Sequence, residues 1–168
     1  MKIELKRISI NERMSEETTC FVADVYVDGV NVGEAKNDGH GGSTFVYAGS
    51  APGNRQLVAK AEAYAKTLPD IHYPDMNFSL KSDLEHIVDD LVFAEQKKKD
   101  AKKLEKKMEK SIMFGVPNSG TYSQISFKVP LSSMSKAELQ GYVVQYKSKF
   151  KKGEVFLNTN FEKLGITV

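Results

Sequence analysis

Six consecutive residues, Asn37-Asp38-Gly39-His40-Gly41-Gly42, hold the densest set of groups in this 168-residue sequence that could take part in chemistry. Three glycines in four positions admit backbone angles that a Cβ resists, so several N–H groups can turn toward one point and receive an anion. Asn37, Asp38 and Ser43 add short polar arms, and His40 can donate to a phosphate or titrate near neutral pH. A plain turn between strands uses Asn, Asp and Gly for positive φ alone; His40 is the member such a turn does not need. The candidate ligand-binding set is Asn37, Asp38, Gly39, His40, Gly41, Gly42 and Ser43.

The same residues fall short of a catalytic signature. No Gly-Lys-Ser/Thr follows the loop, and the strand–helix dinucleotide fingerprint is missing. Asp38, His40 and Ser43 are the residue types of a hydrolase triad, but they are almost adjacent, whereas working triads draw their members from separately braced elements. His40, His72 and His86 lie far apart without HExxH spacing or a cysteine pair, so no metal ligand is assigned. Cys20, the only cysteine, sits in an apolar strand pattern and reads as a buried free thiol; a catalytic nucleophile is the alternative. No catalytic residue and no cofactor is expected. A nucleotide-cleaving site assembled in space from one histidine and several carboxylates stays open.

The second candidate is a run of charge. Eight lysines lie between Lys97 and Lys110 against Asp100, Glu105 and Glu109, a local excess of five positive charges. A solvated helix face accounts for this; a patch for a polyanion is the functional alternative, carried by Lys102, Lys103, Lys106, Lys107 and Lys110. The run holds no aromatic residue on which bases could stack, so nucleic acid is not the expected partner.

Elements that position these groups follow from pattern. Ile3 to Ile10 suggests a strand, and Asn11 to Glu17 a loop. Cys20 to Val27 and Val30 to Val32 flank Asp28-Gly29, a strong hairpin signal. Thr44 to Tyr47 can return as a further strand of the same sheet. A helix opens near Ser50 to Pro52 with Leu57, Val58, Ala61, Tyr64, Ala65 and Leu68 on one face, and Pro69 marks its end. Asp70 to Leu80 reads as a connection with turn signals at Pro69 and Pro74. Ser82-Asp83-Leu84-Glu85 reads as a capping box starting a helix that runs to about Ser111. Its first half is broadly apolar. Its second half keeps only Ala101, Leu104 and Met108, a thin stripe that suits a projecting segment over 97–111 or a seam with a second copy. Strands at 112–116 and 125–129, a second capping box at Ser135 to Glu138 opening a helix with Leu139, Val143, Tyr146 and Phe150 on one side, and a last strand at 154–157 complete the chain. The class is α+β: a mostly antiparallel sheet with an N-terminal hairpin and three helices, one of them long and lysine-rich, in a single domain over 1–168.

Composition is that of an ordinary globular chain, 40% hydrophobic and 27% charged with a net charge of +2. The first residues alternate charge with aliphatics, which suits a strand and not a signal peptide. No apolar run approaches the ~18 residues that span a bilayer, so no membrane partner is expected.

Ser15-Glu16-Glu17-Thr18, Cys20-Phe21, Tyr26-Val27-Asp28-Gly29, Val32-Gly33 and the Asn37–Gly42 loop resemble the start of small phage and prophage proteins of unassigned activity; Glu154 to Asn158 is similar to the same group. The likeness covers about a quarter of the chain. It implies a genomic setting only: a phage-type accessory protein in a bacterial host cytoplasm, with no catalytic residue carried over. Together with the loop and the lysines, this setting leads to the expectation of a small anionic or nucleotide ligand bound without turnover, an immune nucleotide of the host being the form the setting suggests. A homo-oligomer, dimer or higher, is expected. The alternative is a host-takeover module whose long helix docks a host protein.

Overall fold

The computed structural model describes residues 1–73 and 77–168; the turn signal at Pro74 lies outside the described residues. The architecture is α+β with antiparallel sheets, and the chain divides into two compact units, Met1–Lys98 and Lys99–Val168, each with its own apolar core.

The first unit is built on a four-stranded antiparallel sheet: β1 (Ile3–Ile10), β2 (Phe21–Val27), β3 (Val30–Asn37) and β4 (Phe45–Ala48), in that order. The Asp28-Gly29 hairpin joins β2 and β3 as the pair requires, with φ of 48° and 84°. Alternation along β2 buries Phe21, Ala23, Val25 and Val27 on one face, where α1 (Asn54–Ala65) adds Val58, Ala61 and Ala65, and α2 (Leu84–Met108) adds Leu84, Val88 and Val92. The opposite face carries Val22, Asp24 and Tyr26; the strand register sets Lys36 and then Phe45 beside Val22, and Glu34 and then Tyr47 beside Asp24.

Two local expectations change. α1 starts at Asn54, because Gly53 before it is left-handed (φ 87°) and cannot extend the helix back through Pro52. The stretch read as a bare connection contains a small hairpin, β5 (Ile71–Tyr73) with β6 (Phe78–Leu80); strands of three residues are too short to show a period of two.

The cap of α2 also shifts by one residue. Asp83, not Ser82, accepts the N–H of His86 (2.9 Å) and also takes His86 Nδ1 (2.7 Å). Glu85, freed from that cap, reaches across to the Thr44 N–H (2.9 Å). Burial pushes the Asp83 carboxyl up, but its hydrogen bonds from His86 and the charge of that ring together outweigh burial and hold it below the usual carboxylate range.

In the second unit, β7 (Ser111–Gly115) is the centre of a three-stranded antiparallel sheet between β8 (Ser123–Ser126) and β9 (Val155–Phe156). The helix α3 (Lys136–Lys147) begins with the expected reciprocal capping box of Ser135 and Glu138, and its Leu139 and Val143 pack with Ile112, Leu131, Phe161 and Ile166. At the end of α2, Met108 is buried within its own chain: Asn160 Nδ2 donates to its carbonyl (3.0 Å) and the Thr159 hydroxyl lies on its sulfur. Burying Met108 therefore takes no second copy. Ala101 stays exposed and Leu104 half-buried.

Candidate functional site

The glycine loop connects β3 to β4 and is organised around one buried side chain. Asn37 Oδ1 accepts the Gly39 N–H (2.8 Å) and the Thr18 hydroxyl (2.8 Å), while Nδ2 donates to Gly42 O (2.9 Å) and Thr44 Oγ1 (3.1 Å). Both faces of the amide are thus engaged, as burial demands. The Gly39 carbonyl in turn collects the N–H groups of Glu16, Glu17 and Thr18 at 2.9, 3.1 and 3.3 Å, and Gly41 N–H donates to Thr18 Oγ1 (3.2 Å).

The glycines are needed for this closure. At Gly39 (φ 89°) an added Cβ would fall 2.1 Å from the Met14 carbonyl oxygen. At Gly41 (φ 82°) it would fall 2.3 Å from Glu17 Oε2, whereas at Gly42 it would meet nothing within 4 Å. Gly39 and Gly41 therefore hold the loop against the segment 14–18, and both N–H groups are taken within the protein, that of Gly39 by Asn37 Oδ1 and that of Gly41 by Thr18 Oγ1.

The two sides of the loop differ in charge. On the α2 side, Thr44 donates its hydroxyl to Asp89 (2.6 Å) and its N–H to Glu85, and Asp90 lies in the same depression. Burial raises the Asp89 carboxyl above its usual range; the Thr44 bond works against this and the neighbouring Glu85 charge reinforces it. Like-charged carboxylates make this side unfavourable for phosphate.

On the opposite side lies a cleft of about 260 Å³ lined by Lys36, Asn37, Asp38, His40, Gly42, Ser43, Phe45 and Tyr47. Five of the seven loop residues singled out from sequence meet here; Gly39 and Gly41 are the two that do not. Phe45 and Tyr47 are 55% and 49% exposed, and their rings lie 6.2 Å apart at 36°. Lys36 Nζ is 5.7 Å from the Tyr47 ring centroid and 3.8 Å from Asp38 Oδ1. His40 Nδ1 lies 3.1 Å from Glu16 Oε2, both side chains being more than half exposed. Two open aromatic faces, an ammonium and an imidazole suit stacking and charge recognition. Among the described residues, no group of three His, Cys, Asp or Glu side chains is placed to hold a metal ion.

Lys36, Phe45 and Tyr47 are the members sequence reasoning missed. Their common face depends on the register Lys36↔Phe45 and Glu34↔Tyr47, which the loop sets. The alternation Phe45, Tyr47 was the available signal. Cys20, expected to be buried, is only half-buried and lies just before β2, with its N–H on Ser15 Oγ (2.9 Å).

In the second unit, Lys102, Lys103, Lys106, Lys107 and Lys110 are all exposed. Lys103 pairs with Asp100 (3.7 Å), and Lys107 donates to the Tyr122 hydroxyl (3.1 Å). Asp100, Ala101, Lys103, Leu104, Lys107 and Tyr122 line a shallow cleft of about 350 Å³. An aromatic residue thus does adjoin the lysine face, supplied by the loop before β8.

No protein-family model, no curated protein and no solved structure matches the chain. No helix among the described residues is long and apolar enough to cross a membrane.

Proposed function

We propose that this protein binds a small ligand combining an aromatic ring with an anionic group, a nucleotide in the simplest case, and does not turn it over. The observation that carries the reading is the cleft beside the glycine loop, where Phe45 and Tyr47 offer ring faces next to Lys36 and His40. A base stacks on either ring; Lys36 exchanges its long contact with Asp38 for a phosphate, and His40 adds a donor at the rim. The phage-type resemblance supports a setting in a bacterial cytoplasm, with sequestration of a host nucleotide signal as the role. Titration calorimetry of the full chain against mononucleotides, cyclic dinucleotides and ADP-ribose derivatives tests this, with the ligand recovered and its mass measured afterwards. Intact ligand and a roughly tenfold loss on Lys36→Ala or Tyr47→Ala are expected, equivalent to about 1.4 kcal/mol each. Cleaved ligand would promote the enzyme alternative.

A second reading rests on the second unit. The cleft at Ala101, Leu104 and Tyr122, rimmed by Lys103 and Lys107, supports docking of an acidic host-protein segment. A stoichiometric protein partner lost on Leu104→Lys, with nucleotide binding absent, would favour it.

A further inference from the structure

The two edges of the four-stranded sheet are built very differently. β1, one edge, carries Glu4, Lys6 and Arg7, and its pairing with β2 breaks register between Lys6 and Ser9 where Arg7 turns left-handed (φ 51°). Charge and a bulge are the usual protections of an exposed edge against further pairing. β4, the other edge, has neither: Phe45-Val46-Tyr47-Ala48 is regular and uncharged, and it contains no proline.

Its free main-chain groups can be assigned. Gly49 N–H donates to Val32 O (2.8 Å), which fixes the phase of the ladder with β3. Gly49, Tyr47 and Phe45 turn their N–H and C=O groups to β3, so Val46 and Ala48 turn theirs outward. Thr44, in the same outward phase, gives its N–H to Glu85, which confirms the direction.

We propose that β4 pairs antiparallel with β4 of a second copy, about a two-fold axis at Tyr47. Only even registers join outward groups to outward groups. The register centred on Tyr47 lets Val46 exchange both bonds with the partner's Ala48, and Ala48 with the partner's Val46, giving four main-chain bonds. Tyr47 then faces the partner's Tyr47 as a non-hydrogen-bonded pair, ~4.5 Å between Cα atoms. Within the paired strands no like charges oppose each other; Glu62, Lys66, Asp83 and Glu85 line the depression beside Val46 and flank the new seam. The product is a continuous eight-stranded sheet in which each Tyr47 ring borders both clefts, so the partner copy contributes a residue to the site. The pairing itself needs no ligand, and it stands or falls separately from the nucleotide reading.

Sedimentation velocity of the full chain over a concentration series tests it. A dimer at tens of micromolar is expected, and Val46→Pro, which removes an outward donor, should give a monomer with an unchanged far-UV spectrum. Cross-linking covers the case in which that variant fails to fold. In a Cys20→Ser background, Tyr47→Cys should oxidise to a covalent dimer, since the paired Cα atoms lie within disulfide range. Glu34→Cys in the same background should not, because three strand spacings put the two positions roughly 14 Å apart. A wild-type monomer throughout, a dimer that survives Val46→Pro, or cross-linking at 47 no better than at 34 overturns the proposal. So does a dimer that dissociates on Leu104→Lys and not on Val46→Pro, which would place the contact on α2.

Discussion

Replacing Gly39 by alanine probes the loop at its tightest point. The backbone there is left-handed (φ 89°), which costs an alanine about 1–2 kcal/mol. The added methyl would lie 2.1 Å from the Met14 carbonyl oxygen and 2.8 Å from Cys20 Cβ. Neither is the end of a flexible side chain, so the loop must separate from the segment 14–18. That separation weakens the three N–H bonds onto the Gly39 carbonyl; losing one or two adds roughly 1–2 kcal/mol. The sum is a loss of about 2–4 kcal/mol, measurable by urea unfolding followed by circular dichroism. Two neighbours serve as controls. Gly41→Ala meets only the end of the Glu17 side chain, which can move, and should cost about 1–2 kcal/mol from the backbone alone. Gly42→Ala meets nothing within 4 Å and should stay within about 0.5 kcal/mol of wild type. Equal effects at 39 and 42, or a Gly39→Ala variant as stable as wild type, would refute the reasoning.

Asn37→Ala should cost about 2–4 kcal/mol in the same assay, since it removes four hydrogen bonds and leaves two buried partners, the Gly39 N–H and the Thr44 hydroxyl, unmatched. Asp89 binds its proton more tightly in the folded chain than in the unfolded one, so the native state gains stability as pH falls through its raised value toward the ordinary ~3.9, and loses it as pH rises. Asp89→Asn should therefore flatten that slope and gain relative to wild type between pH 4 and 7, read from thermal midpoints across the range; an unchanged slope would show that other groups set it. Ser135→Ala removes the reciprocal cap of α3 and should lower stability by about 1 kcal/mol in urea unfolding.

Strong local signals translated directly into structure. Asp28-Gly29 specified its hairpin because positive φ at two adjacent residues has few other uses, and Ser135 to Glu138 capped α3 because both partners lie within one turn. The cap of α2 was read one residue early, at Ser82, for a physical reason: Asp83 suits the position equally well, and Glu85, the other half of the expected box, bonds the Thr44 N–H across a separation that local spacing does not show. The glycine loop was legible as a special backbone. Its internal closure was not, since Asn37 and Gly39 take partners from 14–18 across a separation that spacing cannot reveal. The cleft was half legible for the same reason: His40 and Asp38 announce themselves within the loop, but Lys36, Phe45 and Tyr47 share a face only through strand register.

The location of the ligand is the central claim, and nuclear Overhauser contacts measure it most directly. In the isotope-labelled full chain saturated with the tightest-binding nucleotide of the panel, the base protons should show contacts to the Phe45 and Tyr47 rings. Amide shifts should concentrate in residues 36–47. Contacts confined to Tyr122 and the lysines between Lys102 and Lys110, with Phe45 and Tyr47 silent, would contradict the account.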